Sequence, residues 1–166
     1  MALFQNFTNG HFFSLYGLIA VILIVIPNFI FLKKAQKYKP DDIETAGIKV
    51  VRMEFWGRFF LNIALVLLGY PHLSDVWMYA AIVVAAIYFI LWIKFAIQGC
   101  YYPDIYLKKF LGIPLPFDIF NCLYFTFVSI WLGNFLAVVF AVDYSICRII
   151  NATKAYNDFL TRRYVD

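Results

Sequence analysis

The chain has 166 residues, of which 64% are hydrophobic, 21% aromatic and 14% charged, with 14 Lys and Arg against 10 Asp and Glu for a formal net charge of +4. An average soluble domain is about 25% charged, so this composition excludes an ordinary water-soluble globule and points to an integral membrane protein. With no basic folded segment behind that net charge, nucleic-acid binding is excluded as well.

Apolar runs of about 18 or more residues read as transmembrane helices, because the bilayer core is about 30 Å thick and a helix rises about 1.5 Å per residue. The first such span covers residues 11–32, with Pro27 and Asn28 near its lower end. An uncharged MALFQNFTNG precedes it and lysines follow it, the reverse of a signal peptide, so the segment is expected to remain as a span. The polar stretch KKAQKYKPDDIETAGIKVVR is a solvent-facing connection, with a helix start expected near Lys39-Pro40-Asp41-Asp42. Spans at residues 51–70 and 76–95 follow, joined by GYPHLSD as a tight antiparallel hairpin. The aromatic and basic CYYPDIYLKKFLGIP suits a loop or short helix in the headgroup region.

From Ile113 to Ile150 the chain is apolar for longer than one span requires. Gly133-Asn134 is a turn signal, and a break there yields spans at 114–132 and 135–150. The alternative is a single helix and four spans in all, favoured by the four-residue spacing of the small residues Ser129, Gly133, Ala137 and Ala141. Charge decides between them: five spans with the N-terminus outside place all 14 Lys and Arg on, or in the helix halves nearest, the cytoplasm. The expected fold is therefore an all-α, polytopic transmembrane bundle of five spans forming one domain over residues 1–166, with a cytoplasmic amphipathic tail at 151–166.

Within the second span, Glu54, Arg58 and Asn62 recur every four residues on one helix face. At about 1.5 Å per residue, Arg58 lies about 18 Å below Tyr70 and Asp118 about 21 Å below Leu132, at nearly one depth. On the same scale Asp143 lies about 12 Å and Arg148 about 20 Å below Phe135. A charge at the bilayer centre costs about 2.5 to 3.5 kcal/mol, so such groups are expected to face inward and pair. The expected pairs are Arg58 with Asp118, and Arg148 with Asp143 or Glu54, while Asn62, Asn121 and Tyr88 satisfy the remaining donors and acceptors. Taken singly, Glu54 and Lys94 lie close enough to the cytoplasmic boundary to reach water. Paired charges of this kind also serve as assembly devices that fix which helix packs on which.

His11, His72 and Asp75 share a depth at the outer face, but their spacing matches no metal-ligand motif, and no metal or cofactor is expected. Cys100, Cys122 and Cys147 are too widely spaced for a disulfide framework or zinc site and read as free thiols. Asn6-Phe-Thr and Asn151-Ala-Thr match the glycosylation tripeptide, a pattern frequent by chance. In the tail, Ile149, Tyr156, Phe159, Leu160 and Tyr164 recur at near-helical spacing between Lys and Arg, as in a segment lying on the membrane or docking on a partner.

With WIKFAIQG closing the third span and FLGIP before the fourth, the stretch from Arg52 to Asn151 resembles a group of small, uncharacterised polytopic bacterial membrane proteins. The resemblance implies a bacterial inner-membrane location and carries no activity or site residue. The residues favour a membrane interaction or accessory protein, with the bilayer and either a further membrane protein or a second copy as partners. A carrier or binding protein for a small solute, ion or lipid-like ligand, lined by Arg58, Asp118 and Asp143, is the alternative. An intramembrane enzyme comes last, since no catalytic triad, metal motif or nucleotide loop is present.

Overall fold

A computed structural model of the protein describes residues 13–35, 39–40, 43, 46–68 and 75–163, and these form six helices. They are α1 (Leu15–Ala35), α2 (Ile48–Leu68), α3 (Asp75–Ile97), the single turn α4 (Asp104–Leu107), α5 (Pro116–Trp131) and α6 (Phe135–Arg163). The second helix starts at Ile48, on a turn in which the Val50 N–H bonds to the Gly47 carbonyl, three residues before the expected start of the span at 51, while the helix start expected near Lys39-Pro40-Asp41-Asp42 falls in part outside the described residues.

Glycine sets two of the helix ends. Past α3, Gly99 takes a φ of +94°. This lets the Cys100 N–H reach back to the Phe95 carbonyl and the Gly99 N–H to that of Ala96, closing the helix with carbonyls that would otherwise lack donors. The same device ends α5, where Gly133 has a φ of +60°, its N–H bonds to Ile130, and the Asn134 N–H bonds to Ser129. Asn134 then begins the next helix, its Oδ1 accepting from the Ala137 N–H at 3.0 Å as an N-cap. Its amide also donates to the Ala64 carbonyl of α2 at 2.9 Å. The apolar run is thus two helices that reverse at Gly133-Asn134, and the continuous helix of the four-span alternative does not form.

Neighbouring helices close a ring. α2 lies against α6, α6 against α5, α5 against α3, α3 against α1, and α1 returns to α2. At one end the Ser14 N–H bonds to the Val66 carbonyl, close to the Asn134 contact; at the other, the Ala46 N–H bonds to Asn151 Oδ1. The five long helices therefore alternate in direction. Two glycines permit the closest approaches: a Cβ at Gly17 would lie 1.9 Å from the Leu65 carbonyl oxygen, and one at Gly57 would lie 3.5 Å from the Tyr144 Cα.

α6 departs from expectation in length. The predicted span at 135–150 runs on without interruption into the tail as one helix, Phe135–Arg163, of 29 residues and about 43 Å, residues 164–166 lying outside the described residues. No Gly or Pro interrupts it, and beyond Asn151 its Ala152, Ala155 and Phe159 are buried, with Phe159 stacked on Tyr106 at 5.7 Å. The tail is therefore held against the connection between α3 and α5. That connection also contains a two-residue turn in which Phe110 and Ile113 exchange both backbone bonds and Leu111 and Gly112 have φ of +50° and +81°. Leu111 stands at its tip, 86% exposed.

The bundle turns aromatic and aliphatic side chains outward, among them Phe29, Phe55, Trp56, Ile82, Val83 and Ile146. A surface of this character suits lipid better than water. Among the described residues, three helices are long and apolar enough to cross a membrane: Leu15–Ala35, Asp75–Ile97 and, within α6, Phe135–Thr161. α2 has the length but carries Lys49, Arg52, Glu54 and Arg58, and α5 is apolar but, at 16 residues, only about 24 Å long.

Candidate functional site

Of the sequence stripe, Glu54 meets polar side chains of the later helices where α2, α5 and α6 converge. Arg148 of α6 donates from Nε to Asp118 Oδ1 of α5 at 2.6 Å and from Nη1 to Glu54 Oε1 of α2 at 2.9 Å. Three residues further along the same face of α6, the Asn151 amide donates to Glu54 Oε2 at 2.9 Å. One guanidinium and one amide thus hold two carboxylates, and three helices are joined at one point. Asp118 is the innermost member at 1% exposure, against 12% for Glu54 and 27% for Arg148.

Two of the expected pairings do not form. Asp118 is taken by Arg148, so the pair of Arg58 with Asp118 is replaced. Asp143 does not meet Arg148 because five residues turn a helix by about 500°, leaving the two about 140° apart on α6. It packs instead against Gly57, where an added Cβ would come 2.8 Å from Asp143 Oδ2. Of the two acids proposed for Arg148, Glu54 is the partner, and it is not the solvated boundary residue that its depth suggested. Tyr88 also lies elsewhere: its hydroxyl donates to Asn28 Oδ1 at 2.6 Å, while the Asn28 amide turns back to the Ile24 carbonyl at 3.1 Å. This second polar joint ties α3 to α1 just after Pro27. Asn121 is buried one turn above Asp118, yet its Oδ1, like Asp118 Oδ2 and Asn62 Oδ1, has no hydrogen-bond partner among the described residues.

Asn151 also belongs to this cluster, although in the sequence it stands out only as part of a glycosylation tripeptide. The available signal was its spacing of three from Arg148, which puts both side chains on one face of a helix.

Two cavities flank the cluster. One, of about 220 Å³, is lined by Arg148, Asn151, Tyr102, Tyr106 and Lys39. Burial pushes the Tyr106 phenol well above its ordinary range, so it remains protonated beside the Tyr102 hydroxyl, 3.3 Å away. The other is a groove of about 430 Å³ along the α2 stripe, where Val51, Glu54, Phe55, Arg58, Phe59 and Asn62 are joined by Asn151 of α6. Arg58 is exposed in this groove and has no ion pair among the described residues. It sits ten residues from either end of α2, about 15 Å each way.

Among the described residues, no group of three or more His, Cys, Asp or Glu is placed to hold a metal ion. His11 and His72 lie outside the described residues, and Asp75 opens α3. The three cysteines are free and buried. No family model matches the chain, and neither does any curated protein or solved structure.

Proposed function

We propose that this is a five-span inner-membrane protein of the interaction or accessory class, whose α2 groove receives a transmembrane helix of another protein or of a second copy. The single observation that carries the reading is Arg58, an exposed guanidinium halfway along α2 with Phe55 and Phe59 beside it and no ion pair among the described residues, the one carboxylate lining its groove, Glu54, being held by Arg148 and Asn151. Left in lipid, such a charge costs about 2.5 to 3.5 kcal/mol, so a partner helix offering a carboxylate at the same depth is stabilised there. The buried cluster has another role. Its two carboxylates share the Arg148 guanidinium, as expected of an assembly device that sets the order of α2, α6 and α5.

Five crossings are supported by how the helices sort charge. Among the described residues the Lys and Arg lie in the Arg148 half of the bundle or, for Arg58, at its middle, and the sequence has none in residues 59–93 or 110–147. The positive-inside rule then puts the Arg148 end in the cytoplasm. A cysteine at exposed Phe135 is expected to react with an impermeant maleimide from outside intact cells, and one at exposed Thr161 only after the membrane is opened. Labelling of both from one side would remove the five-span reading.

The interaction itself is tested with a photo-crosslinking residue at Phe59 in the full-length chain in native membranes. The expected result is one discrete protein adduct, kept in Arg58→Lys and reduced at least severalfold in Arg58→Leu. An adduct of twice the chain mass identifies a second copy as the partner, whereas no adduct, or one indifferent to Arg58→Leu, defeats the proposal. The groove volume and the presence of Glu54 and Asn151 along it support a second reading, binding of a small polar solute, which would leave no protein adduct at Phe59.

A further inference from the structure

We infer that a third, separate cavity binds the phosphate of an anionic phospholipid at the cytoplasmic surface. It lies where α3 ends, α4 turns and α5 begins, a volume of about 230 Å³ with Lys94, Lys108 and Lys109 on its wall together with Leu91, Phe95 and Phe117.

Charge is not balanced there. Lys108 Nζ is held by Asp104 Oδ2 at 2.7 Å and by Gln98 Oε1 at 2.7 Å, which leaves it neutralised and fixed. Lys94 and Lys109 are exposed and have no ion pair among the described residues. Two uncompensated ammonium groups thus border a recess whose other wall is aliphatic and aromatic. A free inorganic anion would use only the lysines. A phospholipid uses both halves, with its phosphodiester between the ammonium groups and its first acyl carbons against Leu91, Phe95 and Phe117.

The recess adjoins the first turn of α5, whose Asp118 pairs with Arg148, and so lies at the Arg148 end of the bundle. Leu111, at the tip of the turn that follows Lys109, is 86% exposed, so an apolar side chain projects beside the basic ones. That ordering of charge and then hydrocarbon follows the headgroup and acyl layers of a leaflet, and basic pockets between helices on the cytoplasmic side are a recurring means of holding lipid headgroups. The site rests on the five-span placement proposed above, and it is distinct from the Arg148 cluster and the α2 groove.

The test uses full-length protein in detergent, titrated in parallel with phosphatidylglycerol, phosphatidylcholine and inorganic phosphate, with bound lipid counted by native mass spectrometry. Each basic residue near a surface contributes enough that removing two is expected to weaken phosphatidylglycerol binding on the order of tenfold. The wild type should therefore prefer phosphatidylglycerol to phosphatidylcholine. Lys94→Gln combined with Lys109→Gln should abolish that preference, and Lys94→Arg with Lys109→Arg should keep it. An unchanged preference in the glutamine variant overturns the site, and displacement of the lipid by an equal concentration of inorganic phosphate reassigns it to a free anion. Flotation with vesicles of phosphatidylcholine alone checks the membrane placement separately. A chain that does not float overturns that placement, while one that floats without a lipid preference overturns only this site.

Discussion

Replacing Arg148 with Met is expected to lower the stability of the folded bundle by about 3 to 5 kcal/mol, because it strands two carboxylates that share one cation. Asp118 suffers most. At 1% exposure it cannot turn to water, and its second oxygen already lacks a partner, so losing the 2.6 Å bond to Nε leaves a buried charge with nothing opposite it. Glu54 keeps the Asn151 amide and borders the α2 groove, so it is less affected. Adding Asp118→Leu to Arg148→Met should restore much of the loss, since the stranded charge is then removed and an apolar group takes its place. Thermal unfolding in a mild detergent, read on the two single variants and the double, separates the cases. If Arg148→Met shifts stability by no more than a surface substitution does, the cluster is not what joins the three helices.

The next largest effect is expected at Gly17. A methyl group there would lie 1.9 Å from the Leu65 carbonyl oxygen and 2.5 Å from its carbon, and neither atom can rotate away because both are backbone. α1 and α2 must separate, which breaks the 2.7 Å bond from the Ser14 N–H to the Val66 carbonyl. Overpacking of this kind costs about 1 to 3 kcal/mol even where side chains can yield, so Gly17→Ala should reach or exceed the upper part of that range. Gly47→Ala is the internal control, since a Cβ there meets nothing within 4 Å. Equal unfolding temperatures for the two alanine variants would show that the helices do not approach so closely in the membrane.

At Glu54 a neighbouring helix overrides what depth along the chain suggests. Depth along a single helix placed it near water, whereas Arg148, carried to the same level by a helix that starts some 80 residues later in the chain, reaches it from the side. No count along α2 could anticipate that, because the pairing depends on which helix is the neighbour. The pair of Arg58 with Asp118 fails for the same reason: the two depths agree, but α2 and α5 meet through Arg148 and not through Arg58. Asp143 and Arg148 are the contrasting case, since their separation by about 140° follows from five residues at 3.6 per turn and was available from spacing alone.

The sequence by itself determined the membrane-like character, five long helices, their order and the break at Gly133-Asn134. Those features depend on local properties: runs of apolar residues, a glycine able to take positive φ, and an asparagine whose side chain caps the next helix. The continuation of α6 through Asn151 to Arg163 was also local in origin, but charge in the tail masked it. Only the tertiary structure decided that Glu54, Arg148 and Asp118 form one cluster while Arg58 is left open on a groove. Hydrophobic burial is non-directional and draws any apolar face inward, whereas an ion pair forms only where two helices bring donor and acceptor within about 3 Å, and that is a property of packing.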